Sequence, residues 1–261
     1  MGNERVFITG ASRGIGRALA LELGRRGNDL VLAARDEAAL EAVAREITER
    51  GGRASWLRLD VSRPETIAPA LAEAAGRLGG LDVVVANAGT GRPGALAATT
   101  AADLWEVFAV NTIGAVLTLS AALPHLRSAA RPLLVGISSL AGYRGGPGSG
   151  PYNASKAAFI SLLETLRMET AGRGIRVLDV RPGFVRTAMT DRNTFRMPFL
   201  MEAALAAERL ADAIEKRRSR VVFPRRAGWV MTLLRHLPDA VFDRLAARVA
   251  ARILPAEGHR P

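Results

Sequence analysis

Tyr152, Lys156 and Ser139 are the side chains whose types and spacing suit acid–base chemistry. Tyr152 and Lys156 lie four residues apart in the segment PYNASK, and on a helix that spacing brings two side chains onto one face. A phenol ordinarily titrates near pH ~10, too high for proton exchange at neutrality. An ammonium one turn away favours the phenolate, so the pair predicts a lowered tyrosine pKa. Bringing it to neutrality takes roughly 4 kcal/mol of differential stabilisation. The chain carries 36 Lys and Arg together, yet only Lys156 and Lys216 are lysines, and only Tyr143 and Tyr152 are tyrosines. The compact ammonium placed here is not interchangeable with the bulkier guanidinium used nearly everywhere else. A half-buried tyrosine beside a solvated lysine would show the same spacing, so the surrounding elements must decide whether a site exists.

With 261 residues, 49% hydrophobic and 23% charged, the chain can bury a substantial core as one domain over residues 1–261. It has no cysteine, which excludes disulfides, thiolate metal sites and cysteine nucleophiles. Three scattered histidines (His125, His236, His259) form no metal-ligand pattern, and no metal is expected. The opening MGNERVFITG enters an apolar strand at once, without a basic and apolar leader, so no signal peptide is expected. No uninterrupted apolar run of spanning length occurs, so no membrane-crossing helix is expected, and the expected location is cytoplasmic. Net charge is +11, and from Ala213 onward there are 11 basic and 4 acidic residues, so most of the excess lies in the last fifth of the chain. That asymmetry fits a solvated arginine-rich surface, or attraction to acidic membranes or acidic carrier proteins. No aromatic and basic residues interleave as nucleic-acid binding requires, and no nucleic-acid partner is expected.

Short apolar runs alternate with amphipathic stretches. Strands are predicted at 6–9, 29–34, 56–59, 81–86, 133–138, 175–180 and 221–224. Helices are predicted at 16–26, 36–50, 64–78, 100–123, 151–171 and 201–217, several of them stopped by glycine. Near-continuous apolar strands are buried on both faces, and their alternation with helices predicts an α/β doubly wound parallel sheet.

The first strand feeds TGASRGIG and then a helix. Gly10, Gly14 and Gly16 allow a tight turn and close approach of backbone to phosphate, while the helix N-terminus offers free N–H groups. The 4-then-2 glycine spacing differs from G-x-G-x-x-G, and a turn without a ligand is the other reading. With ANAG (87–89 supplying its Asn, Ala and Gly), Asn111, ISSLAG and PYNASK, this loop resembles the short-chain dehydrogenase/reductase family over about Val6 to Met189. Ser139 stands 13 residues before Tyr152, as the family pattern requires. Ala86 departs from it, where the family often has a further Asn.

The resemblance implies a Rossmann sheet of about seven strands that binds a nicotinamide dinucleotide. The implied cofactor contacts are Gly10, Ser12, Arg13, Gly14, Ile15 and Gly16 in the loop, Asp60 and Val61 beside adenine, and Asn87, Ala88 and Gly89. Pro182, Gly183, Val185 and Thr187 would hold the nicotinamide end, and Tyr152 and Lys156 the ribose. NAD-preferring sites place an acid at the end of the second strand. Here Ala34 holds that place and Arg35 follows, with Arg13 in reach, so NADP(H) is expected over NAD(H). Asp36 would reverse that reading if the strand register slipped by one. The implied reaction is reversible hydride transfer to a carbonyl or from a secondary alcohol. In it Tyr152 exchanges the proton, Ser139 holds the oxygen, Lys156 tunes the tyrosine and Asn111 keeps a relay water. Ser138 is the alternative serine, and Asn111 could instead serve only to tie elements together. A catalytically idle NADP(H)-binding regulator or scaffold is the other function class.

After Thr187 the sequence turns apolar through Met189, Phe195, Met197, Phe199, Leu200 and Met201, and residues 190–217 read as a substrate lid and its following helix. A hydrophobic carbonyl compound suits such a lid, and ordinary packing would give the same composition. Tyr143 and Arg144 are expected at the mouth of the same cleft. Residues 225–261 read as a helical extension, with Phe242, Leu245, Val249 and Ile253 on one side and Arg244, Arg248 and Arg252 on another. It fits packing on the core, a second subunit of a homodimer or homotetramer, or peripheral membrane contact with snorkelling arginines.

Overall fold

A computed structural model of the chain describes residues 3–193 and 197–253. Seven strands form one parallel sheet in the order β3-β2-β1-β4-β5-β6-β7. They are β1 (Arg5–Thr9), β2 (Asp29–Ala34), β3 (Arg53–Arg58), β4 (Val83–Ala86), β5 (Leu133–Ile137), β6 (Arg176–Pro182) and β7 (Arg220–Phe223). Nine α-helices connect or follow them among the described residues: α1 (Gly14–Arg25), α2 (Glu37–Glu49), α3 (Ile67–Leu78), α4 (Ala101–Phe108), α5 (Ala115–Ala122), α6 (Gly150–Thr170), α7 (Ala203–Glu215), α8 (Arg225–His236) and α9 (Asp239–Ile253).

Alternate strand residues point to opposite faces. Val6, Ile8, Leu30 and Leu32 join Leu19 and Leu23 of α1, Leu40 and Ile47 of α2, and Leu210 and Ile214 of α7 in one core layer. Phe7, Val31, Val84 and Leu134 join Ile67 and Leu71 of α3, Leu119 of α5, and Phe159 and Leu163 of α6 in the other. Each such leucine or phenylalanine contributes about 1.5–3 kcal/mol by leaving water. The expected doubly wound parallel sheet is present. The direction of strand order reverses between β1 and β4, which pair through Val6↔Val83 and Ile8↔Val85. Ligands of open α/β sheets bind beyond the carboxyl ends of strands at such a reversal.

Several boundaries differ from the sequence expectation. The helix expected at 100–123 is broken by a π-helical segment, Ala109–Gly114, between α4 and α5. The segment contains Asn111, whose side chain bonds outside the helix, as described below. The run Ala101–Leu126 contains an 18-residue window of mean hydropathy 1.7 and could cross a membrane by length and composition. Asp103, Glu106 and Asn111 interrupt it, so uninterrupted apolar length alone misses it. Its inner side, including Ala115, Leu119 and Ala122, is part of the core. In the 190–217 segment, the helix expected after the lid is α7, whose Ala206, Leu210 and Ile214 are fully buried.

Candidate active site

The carboxyl ends of β1, β4, β5 and β6 converge on one cleft of about 610 Å³. Its first wall is the turn after β1. Gly10 has φ +65°, and a β-carbon there would lie 2.8 Å from the Ala88 backbone. Asn87 latches this turn to the end of β4: its amide nitrogen donates to the Thr9 and Gly10 carbonyls, each at 3.0 Å. The Thr9 hydroxyl in turn accepts from the backbone N–H groups of Asn87 and Ala88 at 3.1 and 3.2 Å. Arg13 caps α1 in extended conformation, with no side-chain hydrogen bond to the first turn. The first-turn N–H groups therefore remain available, and together with the helix dipole they suit a phosphate.

Gly10, Ser12, Arg13, Gly14 and Ile15 line the cleft, as do Arg35, Asp60, Val61, Asn87, Ala88 and Gly89. Ser139, Tyr152, Lys156, Pro182, Gly183, Val185 and Thr187 complete the wall. Among the residues expected to bind cofactor or to act in catalysis, Gly16 and Asn111 do not reach it. Gly16 packs inside, where a β-carbon would lie 2.3 Å from the Gly10 carbonyl oxygen. Asn111 is fully buried behind the cleft. Its side-chain nitrogen donates to the Thr90 carbonyl at 2.9 Å and the Ser155 hydroxyl at 3.0 Å, while its oxygen accepts from the Thr90 N–H at 2.8 Å. Asn111 thus ties the segment after β4 to α6, with its side-chain polar atoms engaged by protein.

At the β2 end, Ala34 closes the strand opposite Arg58. Asp36 lies beyond the strand, and its carboxylate accepts from the Ala39 N–H at 3.1 Å as the N-cap of α2. The one-residue register slip that would put Asp36 at the strand end does not occur. Burial would raise the Asp60 carboxyl, but hydrogen bonds from the Ser62 hydroxyl and amide, with Arg35 and Arg63 nearby, outweigh it and hold it below its ordinary value.

Around the acid–base pair, Ser139 follows β5 and accepts from the Ala141 N–H at 3.1 Å. Its hydroxyl also donates to the Pro182 carbonyl at 3.4 Å and lies close enough to Tyr152 to act on its pKa. Lys156 is 4% exposed and donates to the Ile137 carbonyl at 2.8 Å. Its ammonium lies 5.9 Å from the centre of the Tyr152 ring. Burial raises the Tyr152 pKa, partly offset by the Ser139 hydrogen bond. The lowering expected from Lys156 is therefore not the direction found, because the ammonium is turned to the strand carbonyl. Burial lowers Lys156 to about 8, opposed by the charge of Asp179.

Sequence reading overlooked Asp179 and Arg181. Both side chains are almost completely buried on β6. The Asp179 carboxylate accepts from the Ser138 hydroxyl at 2.5 Å and from Arg181 at 2.6 Å. Arg181 stacks over Tyr143, 5.0 Å from its ring centre. This network grips both ends of the segment that begins with Ser139. Ser138 is thereby bound to Asp179 and to the Val180 carbonyl, at 2.8 Å, leaving Ser139 as the serine facing Tyr152. Tyr143 and Arg144, expected at the cleft mouth, are not among its lining residues. Arg144 instead donates to the Leu234 and Leu237 carbonyls at the end of α8.

The apolar segment after Thr187 divides. Met189 lines the cleft and is exposed, as is Phe199. Met201 is core, held by a bridge to Val185. Phe195 lies outside the described residues.

Residues 4–196 match the short chain dehydrogenase family. An uncharacterized oxidoreductase of Myxococcus xanthus is 39% identical over 254 residues, covering 95% of this chain and 98% of the relative. A short chain dehydrogenase/reductase of Burkholderia phymatum, solved in complex with NAD, has a TM-score of 0.82 at 26% identity, over 100% of this chain and 99% of that one. A short chain dehydrogenase of Burkholderia cenocepacia, solved in complex with NADP, has a TM-score of 0.77 at 29% identity, over 85% and 96%. The chain belongs to the short-chain dehydrogenase/reductase family of nucleotide-binding oxidoreductases.

Proposed function

We propose that the protein is an NADP(H)-dependent oxidoreductase that interconverts a carbonyl and a secondary alcohol, with Tyr152 as the group that exchanges the proton. The observation that carries this reading is that Ser139, Tyr152 and Lys156 line one cleft together with an uncapped helix N-terminus. The glycine turn and first-turn N–H groups of α1 would take the pyrophosphate, and Val185 and Thr187 the nicotinamide end. The bound nicotinamide supplies or accepts hydride. In reduction Tyr152 donates its proton to the substrate oxygen, Ser139 orients that oxygen, and Lys156 supplies positive charge beside the ribose. A tyrosine kept protonated by burial is the form that reduction requires.

Ala34 and Arg35 support NADP(H) over NAD(H). The last residue of β2 is Ala34, the Asp36 carboxylate, whose residue also lines the cleft, accepts from the Ala39 N–H as the cap of α2, and the Arg35 and Arg13 guanidiniums suit a 2′-phosphate. Each charge-assisted contact contributes about 1.5–3 kcal/mol, or roughly 10- to 100-fold in affinity. Arg35→Ala is expected to weaken NADPH binding by roughly that factor and leave NADH binding nearly unchanged. Fluorescence titration with both nucleotides checks it, and equal weakening of both would argue against 2′-phosphate recognition.

The pH dependence follows from Lys156. Its value of about 8 means that the ammonium is present below that pH and lost above it. The kcat/KM for ketone reduction is therefore expected to fall as pH rises past about 8. Asp179→Asn removes the nearby negative charge and moves this limb to lower pH. Lys156→Arg, which stays charged, removes the limb. A limb unmoved by both variants would assign it to another group.

Exposed Met189, which lines the cleft, and exposed Phe199 favour a hydrophobic carbonyl substrate. The exposed apolar residues Leu104, Trp105 and Ile113 on one helical run, and Leu162 and Met168 on α6, support assembly as a homodimer or homotetramer. One domain over residues 1–261 and a cytoplasmic location belong to the same proposal. A panel of ketones with NADPH, followed by nucleotide absorbance, tests the reaction. Tight NADPH binding without consumption on any ketone would favour the idle regulatory reading.

A further inference from the structure

On α8, Trp229 is 73% exposed and Leu233 67% exposed, with Val230 beside them. Their spacing of one turn makes a continuous apolar stripe facing water. Trp229 also borders a second cavity, of about 850 Å³, distinct from the cleft. Arg209, Lys216, Arg218 and Arg225 line that cavity, and none of the four has an ion-pair partner among the described residues. The acid lining it, Asp212, is bound to Arg26 at 2.9 Å, and Arg220 is bound to Glu164 at 3.3 Å. Free positive charge thus borders exposed apolar surface.

The helix α9 repeats the combination. Val241, Leu245 and Val249 form an exposed stripe at four-residue spacing, with exposed Arg244 and Arg248 adjoining it. Phe242, expected on the same side as Leu245, is turned inward under the Arg144 guanidinium, 4.0 Å from its ring centre. Arg144 also pairs with Asp239, so the α8–α9 corner is held by a residue five positions after Ser139.

We propose that the α8–α9 extension and its arginine-lined cavity dock the protein on an anionic lipid bilayer. Trp229 and Leu233 would enter the interface, and Arg218, Arg225 and their neighbours would take lipid phosphates. Charge complementarity selects this occupant. A second copy seated symmetrically here would set these cations against themselves, and a free phosphate would leave the apolar stripe in water. A bilayer bearing anionic lipid satisfies both. The proposal does not depend on the NADP(H) reading.

Co-sedimentation of the full chain with phosphatidylcholine vesicles, with and without phosphatidylglycerol, tests it. Binding is expected only with phosphatidylglycerol, weakening steeply with added salt. Reversing two charges, in Arg218→Glu/Arg225→Glu, is expected to lower partitioning about a hundredfold. Trp229→Ser/Leu233→Ser is expected to lower it at least tenfold. Both pairs lie on the surface outside the cleft, so NADPH binding should be unchanged and serves as the folding control. Equal binding to both vesicle types, or none to either, overturns the proposal. So does displacement by inorganic phosphate with no effect of the Trp229 and Leu233 changes, which would indicate a free-anion site. Loss of an oligomer in light scattering, with vesicle binding intact in both double variants, would assign the surface to a second copy.

Discussion

Tyr152→Phe is expected to lower the rate of ketone reduction by about 10²- to 10⁴-fold, the range a positioned general acid supplies. The substitution removes one oxygen and leaves the ring, so NADPH affinity should hold within about twofold. The size of the effect follows from the surroundings. Tyr152 lines the cleft with Ser139, and Lys156 is turned to the Ile137 carbonyl. Among the described residues no histidine lines the cleft. Steady-state rates with nucleotide affinity measured separately check the point. Retention of more than about a tenth of the rate would mean that another group is the acid.

Arg181→Met is expected to lower unfolding free energy by about 3–5 kcal/mol, the loss seen when a buried ion pair loses one member. The Asp179 carboxylate is fully buried, and Arg181 supplies its compensating charge. Without the guanidinium, only the Ser138 hydroxyl remains bonded to that carboxylate. The double variant Asp179→Asn/Arg181→Met should recover part of the loss, because no unpaired charge then stays buried. Urea unfolding of the three variants measures this. A loss below about 1 kcal/mol in the single variant would show that water reaches Asp179 and that the network does not hold Ser138.

These two predictions differ in how far sequence alone leads to them. Tyr152, Ser139 and the glycine turn were legible because each belongs to a short motif whose local structure is dictated by near neighbours. The order and type of the elements were legible for the same reason, since apolar runs such as Val83 to Ala86 permit little but a buried strand. The Asp179–Arg181 pair carried a weaker signal that was passed over: two charges two residues apart in an otherwise apolar strand share one buried face and must find partners. The acidity of Tyr152 was not legible. Its sign depends on whether burial or the ammonium dominates; burial raises it, while the ammonium is engaged by the Ile137 carbonyl. Asn111 was readable as important, but its engagement with Thr90 and Ser155 depends on residues 21 and 44 positions away. These bonds sit in the π-helical segment that interrupts the long helix periodicity predicted. Gly16 was grouped with the phosphate contacts by spacing, whereas close packing against Gly10 and Asn87 accounts for it.

The proposed function is tested most directly by isotope transfer. NADPH carrying deuterium at the nicotinamide C4, incubated with a panel of hydrophobic ketones and the wild-type protein, should place deuterium on the carbinol carbon of at least one product, with no transfer by Tyr152→Phe. Tight NADPH binding with no deuterium in any product, or transfer that survives in Tyr152→Phe, would contradict a tyrosine-driven carbonyl reduction.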